Sequence, residues 1–192
     1  MNEFERKIGY EFGDISLLEE ALTHSSYANE HGLGRIACNE RLEFLGDSVL
    51  SVIVSGYLFA KQPKLPEGEL TKRRASLVCE GALASYAREI SLGEFIKLGH
   101  GEAKGGGASR PSILADCFEA VIAAIFLDGG MMPAEFFVMR FIEEHNDLAD
   151  APRDYKPNCR KSSSKTRKSG CAMCWWRRAA RTTTKPSPLR CI

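Results

Sequence analysis

The sequence predicts an all-α domain, and three observations carry that expectation. Apolar residues recur at spacings of three and four along most of the first 150 residues, no extended apolar–polar alternation of the strand type is visible, and two helix-length stretches are apolar nearly all round. Those stretches are NERLEFLGDSVLSVIVSGYLFA from Asn39 and ILADCFEAVIAAIFL from Ile113. Each carries acids one helical turn apart: Glu40, Glu43 and Asp47 in the first, Asp116 and Glu119 in the second. A helix that buries most of its surface should bury these acids too, and an unpaired buried carboxylate is costly. Arg41 is the only cation of the first stretch and cannot neutralise three acids.

The elements follow in order. Asp14 or Ser16 suits the N-cap of a segment carrying Leu17, Leu18, Ala21 and Leu22, which should bury one stripe and end around His24 to Tyr27. The stretch up to Cys38, with Gly32 and Gly34, reads as a loop. Asn39 suits the N-cap of the long buried helix, whose end is marked by Pro63 and Pro66. Residues 69–79 and 82–90 make two shorter amphipathic helices. The sequence KGGGAS at 104–109 is a loop beside the second acidic helix, since three consecutive glycines suit neither helix nor strand. Pro111 fits the first position of that helix and Gly129 with Gly130 its stop, and a last helix runs over about 133–146.

Charge is divided along the chain. Of its 192 residues, those up to Pro152 hold 14 Lys and Arg against 24 Asp and Glu, whereas those beyond it hold 12 against 1. An acidic body argues against a general nucleic-acid magnet, although carboxylates that hold a divalent ion can present themselves to phosphate as cationic. No apolar run free of charge reaches the length of a membrane span, and the N-terminus MNEFERKIGYEF lacks the pattern of an export signal, so a cytoplasmic protein with no membrane partner is expected. Without export, Cys38, Cys79 and Cys117 read as buried or half-buried thiols rather than disulfide partners.

Helical geometry puts Glu40, Glu43 and Asp47 on one face and pairs Asp116 with Glu119 in the same way, because residues three and four apart are neighbours on a helix. If the two faces meet, four or five carboxylates converge, and such an all-oxygen set suits Mg²⁺ or Mn²⁺ rather than zinc. Hard ions held by acids are the usual machinery of phosphoryl chemistry. Two blander readings stand beside this one: a solvated acidic stripe, and structural ion pairs with Arg41, Arg73, Arg74 or Arg110. The apolar surroundings of Asp116 and Glu119 weigh against the first. A di-iron carboxylate bundle would need Glu-x-x-His pairs, and His24, His31, His100 and His145 supply none. These histidines read as isolated surface or structural residues, and His24 with Ser25 makes no credible hydrolase dyad.

The segment NERLEFLGDSVL resembles the signature of the ribonuclease III family, and LTHSSYANE, PEGELTKRRASLV, LGEFIKLGHGE and SILADCFEAVIAAIFLDGG extend the resemblance over about residues 1–150. What the resemblance implies is the helical endonuclease-domain fold of that family and an Mg²⁺-dependent endoribonuclease, with Mn²⁺ able to substitute. It would cut double-stranded RNA to 5′-phosphate and 3′-hydroxyl ends, in rRNA and mRNA processing. Carried over by residue, Glu43, Asp116 and Glu119 match metal ligands, and Asp47 with Glu119 match the acids of the chemical step. Glu40 and Glu67 match supporting acids near the cleft. Phe44 matches an interface residue of a homodimer, in which two active centres face one RNA duplex across a two-fold axis. The alternative from another class is a non-catalytic module for RNA binding or dimerisation, with structural acids.

The pattern breaks after a linker at 151–156, where Asp154, Tyr155 and Lys156 resemble the opening of a double-stranded-RNA-binding domain. Residues 157–192 are basic and poor in aliphatic side chains, with CAMC, WWRR and TTTK. They are expected to be disordered alone and read as a shifted reading frame, which translation of the alternative frames would test. A lone C-x-x-C is a weak zinc signal, and a basic segment with Trp175 and Trp176 could hold RNA through charge and stacking.

Overall fold

Nine α-helices and two short 3-10 turns account for about three quarters of the described residues. The structure, a computed structural model, describes residues 1–34 and 36–149, with side chains to Glu144. The linker at 151–156 and the segment 157–192 lie outside the described residues, as does the side chain of His145.

In chain order the helices are α1 (Glu3–Ile8), α2 (Ile15–Ala21), α3 (Ser25–Glu30), α4 (Glu40–Lys61), α5 (Glu67–Leu77), α6 (Glu80–Glu89), α7 (His100–Lys104), α8 (Pro111–Gly129) and α9 (Met131–Ala149). The all-α expectation holds: among the described residues there is no strand, only an isolated parallel bridge between Thr23 and Lys97. Helix α8 is the central element. Its residues from Ile113 to Ile125 are buried apart from Asp116 and Glu119, and it packs against α2, α4, α6 and α9. A cluster of rings from three helices underlies the acidic pair, with Phe118 5.4 Å from Phe137 and 5.3 Å from Phe141, and Tyr86 5.4 Å from Phe141. Tilted and edge-on pairs of this kind each contribute about 0.5–1.5 kcal/mol beyond their buried area.

Helix α4 departs from the expectation of burial all round. It buries Leu42, Val49, Leu50, Ile53, Val54 and Leu58, but leaves Phe44 79%, Val52 52% and Phe59 66% exposed. Length and hydropathy alone would let it cross a membrane. Its buried half is instead one wall of the core, packed chiefly on α8.

Several ends differ from the sequence expectation. Asp14 does cap α2, accepting from the Ser16 N–H at 3.0 Å, but α2 stops at Ala21 and a separate helix, α3, starts at Ser25. Asn39 occupies the N-cap position of α4 in a helical conformation and caps nothing with its side chain, which is buried with Nδ2 unpartnered. Helix α5 begins two residues early, so Glu67 lies in its first turn. The glycine-rich segment contains a 3-10 turn, Gly107–Ser109, and its lysine closes α7. Helix α1 had no strong periodic signal because it is short; a reciprocal Asn2–Glu5 capping box defines it instead.

The N-terminal segment is fastened to the far end of α8. Asp128 accepts from the Tyr10 hydroxyl at 2.6 Å and from the Gly13 and Asp14 N–H groups at 3.0 and 2.8 Å. These bonds hold the Asp128 carboxyl below its ordinary range, while burial and the adjacent carboxylate push the Tyr10 phenol up to about 12. Among the described residues Cys38, Cys79 and Cys117 form no disulfide, and Cys38 and Cys117 are buried and Cys79 half-buried, as expected.

Candidate active site

The crossing of α4 over α8 creates the site, and a glycine sets how close that crossing is. A Cβ built on Gly46 would overlap the backbone carbonyl of Glu119. Only a residue without a side chain allows the two backbones to touch here. Gly46 immediately precedes Asp47 and lies three residues after Glu43, so the contact brings the acid-bearing turn of α4 against the acid-bearing turn of α8. The acids stand out in the sequence, whereas this glycine has no side chain to mark it. It sits in a helix interior, where glycine costs about 1 kcal/mol relative to alanine, and that misfit was the available signal.

Glu119 records the consequence. Burial first, then the charges of Asp47, Glu43 and Asp116, push its carboxyl up to about 8. Burial likewise raises Glu43, helped by Asp116, Glu40 and Asp47. The Asp116 carboxyl is raised by burial and by Glu80 and pulled back by His24. Glu43, Asp116 and Glu119 are half-buried, whereas Asp47, Glu40 and Glu67 are exposed. The structure therefore joins Glu40, Glu43, Asp47, Asp116 and Glu119 in one electrostatic cluster; Glu67, at the start of α5, appears in none of these couplings.

No Lys or Arg among the described residues forms an ion pair with Glu43, Asp47, Asp116 or Glu119. Arg110 pairs instead with Glu102 at 2.6 Å, and Arg74 donates to the Ser55 hydroxyl at 2.9 Å. For those two arginines the structural-ion-pair reading is removed. The donor set, four carboxylates from two helices with no ion-paired Lys or Arg among the described residues, suits a hard divalent ion in its chemistry. Among the described residues no three His, Cys, Asp or Glu side chains stand close enough together to hold an ion as they are oriented. Repulsion between these carboxylates opposes their closer approach in the absence of a cation.

Two further groups come from the tertiary fold alone. Glu80, the first residue of α6, reaches the field of Asp116 because α6 lies along α8. His24, at the N-cap of α3, is held by Ser26, whose N–H lies 3.2 Å and whose hydroxyl lies 2.8 Å from Nδ1. Nothing in the local sequence marks either, since each lies at least 36 residues from Asp116. Of the two roles expected for the histidines, surface or structural, His24 takes the structural one.

Comparison with known proteins gives a consistent picture. A Ribonuclease-III-like family model matches residues 14–145. A protein named Ribonuclease 3 from Symbiobacterium thermophilum is 52% identical over 155 residues, covering 78% of this chain and 63% of its own length. Another of that name from Listeria welshimeri is 46% identical over 156 residues, covering 80% and 68%. The chain thus spans about two thirds of the length of these relatives. Among solved structures, the nuclease domain of ribonuclease III from Campylobacter jejuni, described as flexible in its region of dimer formation, superposes with a TM-score of 0.68 at 45% identity, covering 73% of this chain and 94% of that one. Dicer from Pichia stipitis superposes with a TM-score of 0.54 at 25% identity over 72% and 59%.

Proposed function

Because the chain belongs to the ribonuclease-III-like family, we propose that it is a metal-dependent endoribonuclease acting on double-stranded RNA. The observation that carries this reading is the cluster of Glu43, Asp47, Asp116 and Glu119 at the α4–α8 crossing, in which burial first and neighbouring carboxylates second raise Glu43, Asp116 and Glu119, with no Lys or Arg among the described residues paired to them. Glu43, Asp116 and Glu119 would hold Mg²⁺, with Mn²⁺ able to replace it. The ion supplies Lewis acidity toward the scissile phosphate and lowers the pKa of water.

The chain's own groups then divide the work. Asp47, exposed on α4, would orient a water and take its proton. The water oxygen bonds to phosphorus as the bond from phosphorus to the 3′-oxygen breaks; the departing oxygen takes a proton, leaving 3′-hydroxyl and 5′-phosphate ends. Glu119 ionises only near pH 8 in the metal-free protein, so metal loading and loss of its proton are coupled. Glu40 and Glu67, both exposed in first helical turns, serve as supporting acids at the rim.

The working unit is a homodimer. Phe44, Val52 and Phe59 recur on the exposed side of α4, and apolar side chains lined up in this way suit a two-fold contact. Phe44 lies one residue after Glu43, so that contact would sit beside the site and set two centres across one duplex. Structured rRNA and mRNA precursors in the cytoplasm are the substrates this assembly suits.

Duplex-RNA cleavage in Mg²⁺, comparing the chain with its Glu119→Ala variant, tests the reading. Cleavage by the chain, abolished by the substitution and by chelation, is expected. Equal cleavage by both would sink it, and binding without cleavage by either would favour a non-catalytic RNA-binding module.

A further inference from the structure

The segment from Lys97 to Arg110 has no aliphatic anchor of its own beyond Leu98, yet its main-chain groups tie it to α3 and the turn before it. On one side, Lys97 donates its N–H to the Leu22 carbonyl at 2.8 Å and accepts from the His24 N–H at 3.1 Å. Ser26 Oγ accepts the Gly99 N–H at 2.9 Å, and Glu30 Oε2 accepts the His100 N–H at 2.6 Å. Gly99 is pressed so closely on α3 that a Cβ there would come within 2.8 Å of the Ser26 carbonyl oxygen and 2.7 Å of the Glu30 carboxylate. Ser26 is also the residue that holds His24, whose charge acts on Asp116.

On the other side, Glu102 pairs with Arg110 at 2.6 Å, and Gly107 fits against the Glu102 side chain with no room for a Cβ. Arg110 is the N-cap of α8, less than two turns before Asp116. A continuous set of bonds therefore runs from α3, through α7, to the start of the helix that carries the two innermost acids. The clasped segment exposes the cations Lys97, Lys104 and Arg110, the last of them paired with Glu102. In a body with an excess of acids, cations on the rim of an acidic site are what a phosphate backbone would meet first.

We propose that Glu30 and Ser26 are positioning residues for the nuclease reaction: they clasp the 97–110 segment to α3 and fix its exposed cations where the duplex backbone enters the site. They touch neither the reacting atoms nor the acids directly, so their effect falls on substrate engagement. The inference rests on the endoribonuclease reading above. Glu30 is exposed, so its replacement leaves the core intact.

The test is steady-state cleavage of a short RNA duplex in Mg²⁺ by the full chain and its Glu30→Ala, Glu30→Gln, Ser26→Ala and Gly99→Ala variants, with hydrogen exchange at the His100 amide. Glu30→Ala should raise KM about five- to tenfold and leave kcat within twofold, with faster exchange at His100. Glu30→Gln, which keeps an acceptor oxygen for the same N–H, should restore both. Gly99→Ala should reproduce the KM effect by pushing the segment off α3. Unchanged KM in both Glu30→Ala and Gly99→Ala, in a chain that cleaves, would overturn the clasp alone. A proportional fall in kcat and Tm without rescue by glutamine would make Glu30 merely structural. A chain that cleaves nothing would remove the endoribonuclease reading and the clasp's function with it.

Discussion

Removing one proton-binding group at the α4–α8 crossing should make the metal-free protein more stable at alkaline pH. The carboxyl of Glu119 is pushed from an ordinary 4.5 to about 8. In acid below 4.5 it is protonated in folded and unfolded chains alike and contributes no penalty. Between 4.5 and 8 the unfolded chain releases the proton while the folded chain keeps it, so folding stability falls as pH rises. Above 8 the charge is buried among Asp47, Glu43 and Asp116 and the loss is complete. At 1.36 kcal/mol per pKa unit the rise corresponds to at most about 5 kcal/mol. Because Glu119 is half-buried and keeps some contact with water, about 2–3 kcal/mol of that should be measurable. For a domain of this size that is about 5–10 °C in Tm.

The assay is thermal or denaturant unfolding of the chain and its Glu119→Gln variant in EDTA from pH 5 to 9. Near pH 5 the two should be close; by pH 9 the glutamine variant should be the more stable. Millimolar Mg²⁺ should then recover much of the wild-type deficit at pH 8 and leave Glu119→Gln less affected, since binding to the native state alone stabilises it. A difference between the two proteins that stays constant from pH 5 to 9 would show that Glu119 is neither buried nor repelled as the fold requires, and would refute the reasoning.

Other perturbations read other parts of the fold. Gly46→Ala should lose roughly 1–3 kcal/mol or more by overpacking and lose cleavage beyond that, because the added Cβ meets the Glu119 carbonyl; a wild-type Tm with normal cleavage would reject the close crossing. Phe44→Asp, at a position 79% exposed, should shift the chain from dimer to monomer in sedimentation while keeping its helical circular dichroism; a persistent dimer would remove α4 from the interface. Asp128→Ala deprives Tyr10, Gly13 and Asp14 of their acceptor and should cost about 2–3 kcal/mol, read as a lower Tm with cleavage at 25 °C retained; an unchanged Tm would mean the N-terminal segment is not fastened there.

Features set by local periodicity were legible in the sequence. Acids three and four apart on an apolar background announce a shared helix face whatever the rest of the chain does, and Glu43, Asp47, Asp116 and Glu119 do act on one another. Pro111 and Gly129 mark the ends of α8 as expected, because proline and glycine act through their own backbone. Short elements were less visible. Helices α1, α3 and α7 have six, six and five residues, too few for a hydrophobic period, and they persist through caps and tertiary bonds rather than propensity. The exposed stripe of α4 was hidden for the opposite reason: an apolar face looks the same in sequence whether it meets the core or another copy of the chain.

His24, Glu80 and Gly46 explain why the acids alone did not describe the site. The first two act on Asp116 from α3 and α6, and only the packing of those helices around α8 brings them within range. Gly46 acts without a side chain. Were the α4–α8 distance set by an alanine or larger residue, the carboxylates would move apart and their repulsion would relax, so that the site would have less need of a cation even as the overpacked crossing cost the fold stability. The close backbone contact brings Glu119 against the acid-bearing turn of α4, where burial and then the charges of Asp47, Glu43 and Asp116 push its carboxyl up to about 8. The drive to bind an ion therefore comes from a helix crossing as much as from the ligands themselves, and Gly46→Ala should weaken Mg²⁺ binding even though it leaves every carboxylate in place.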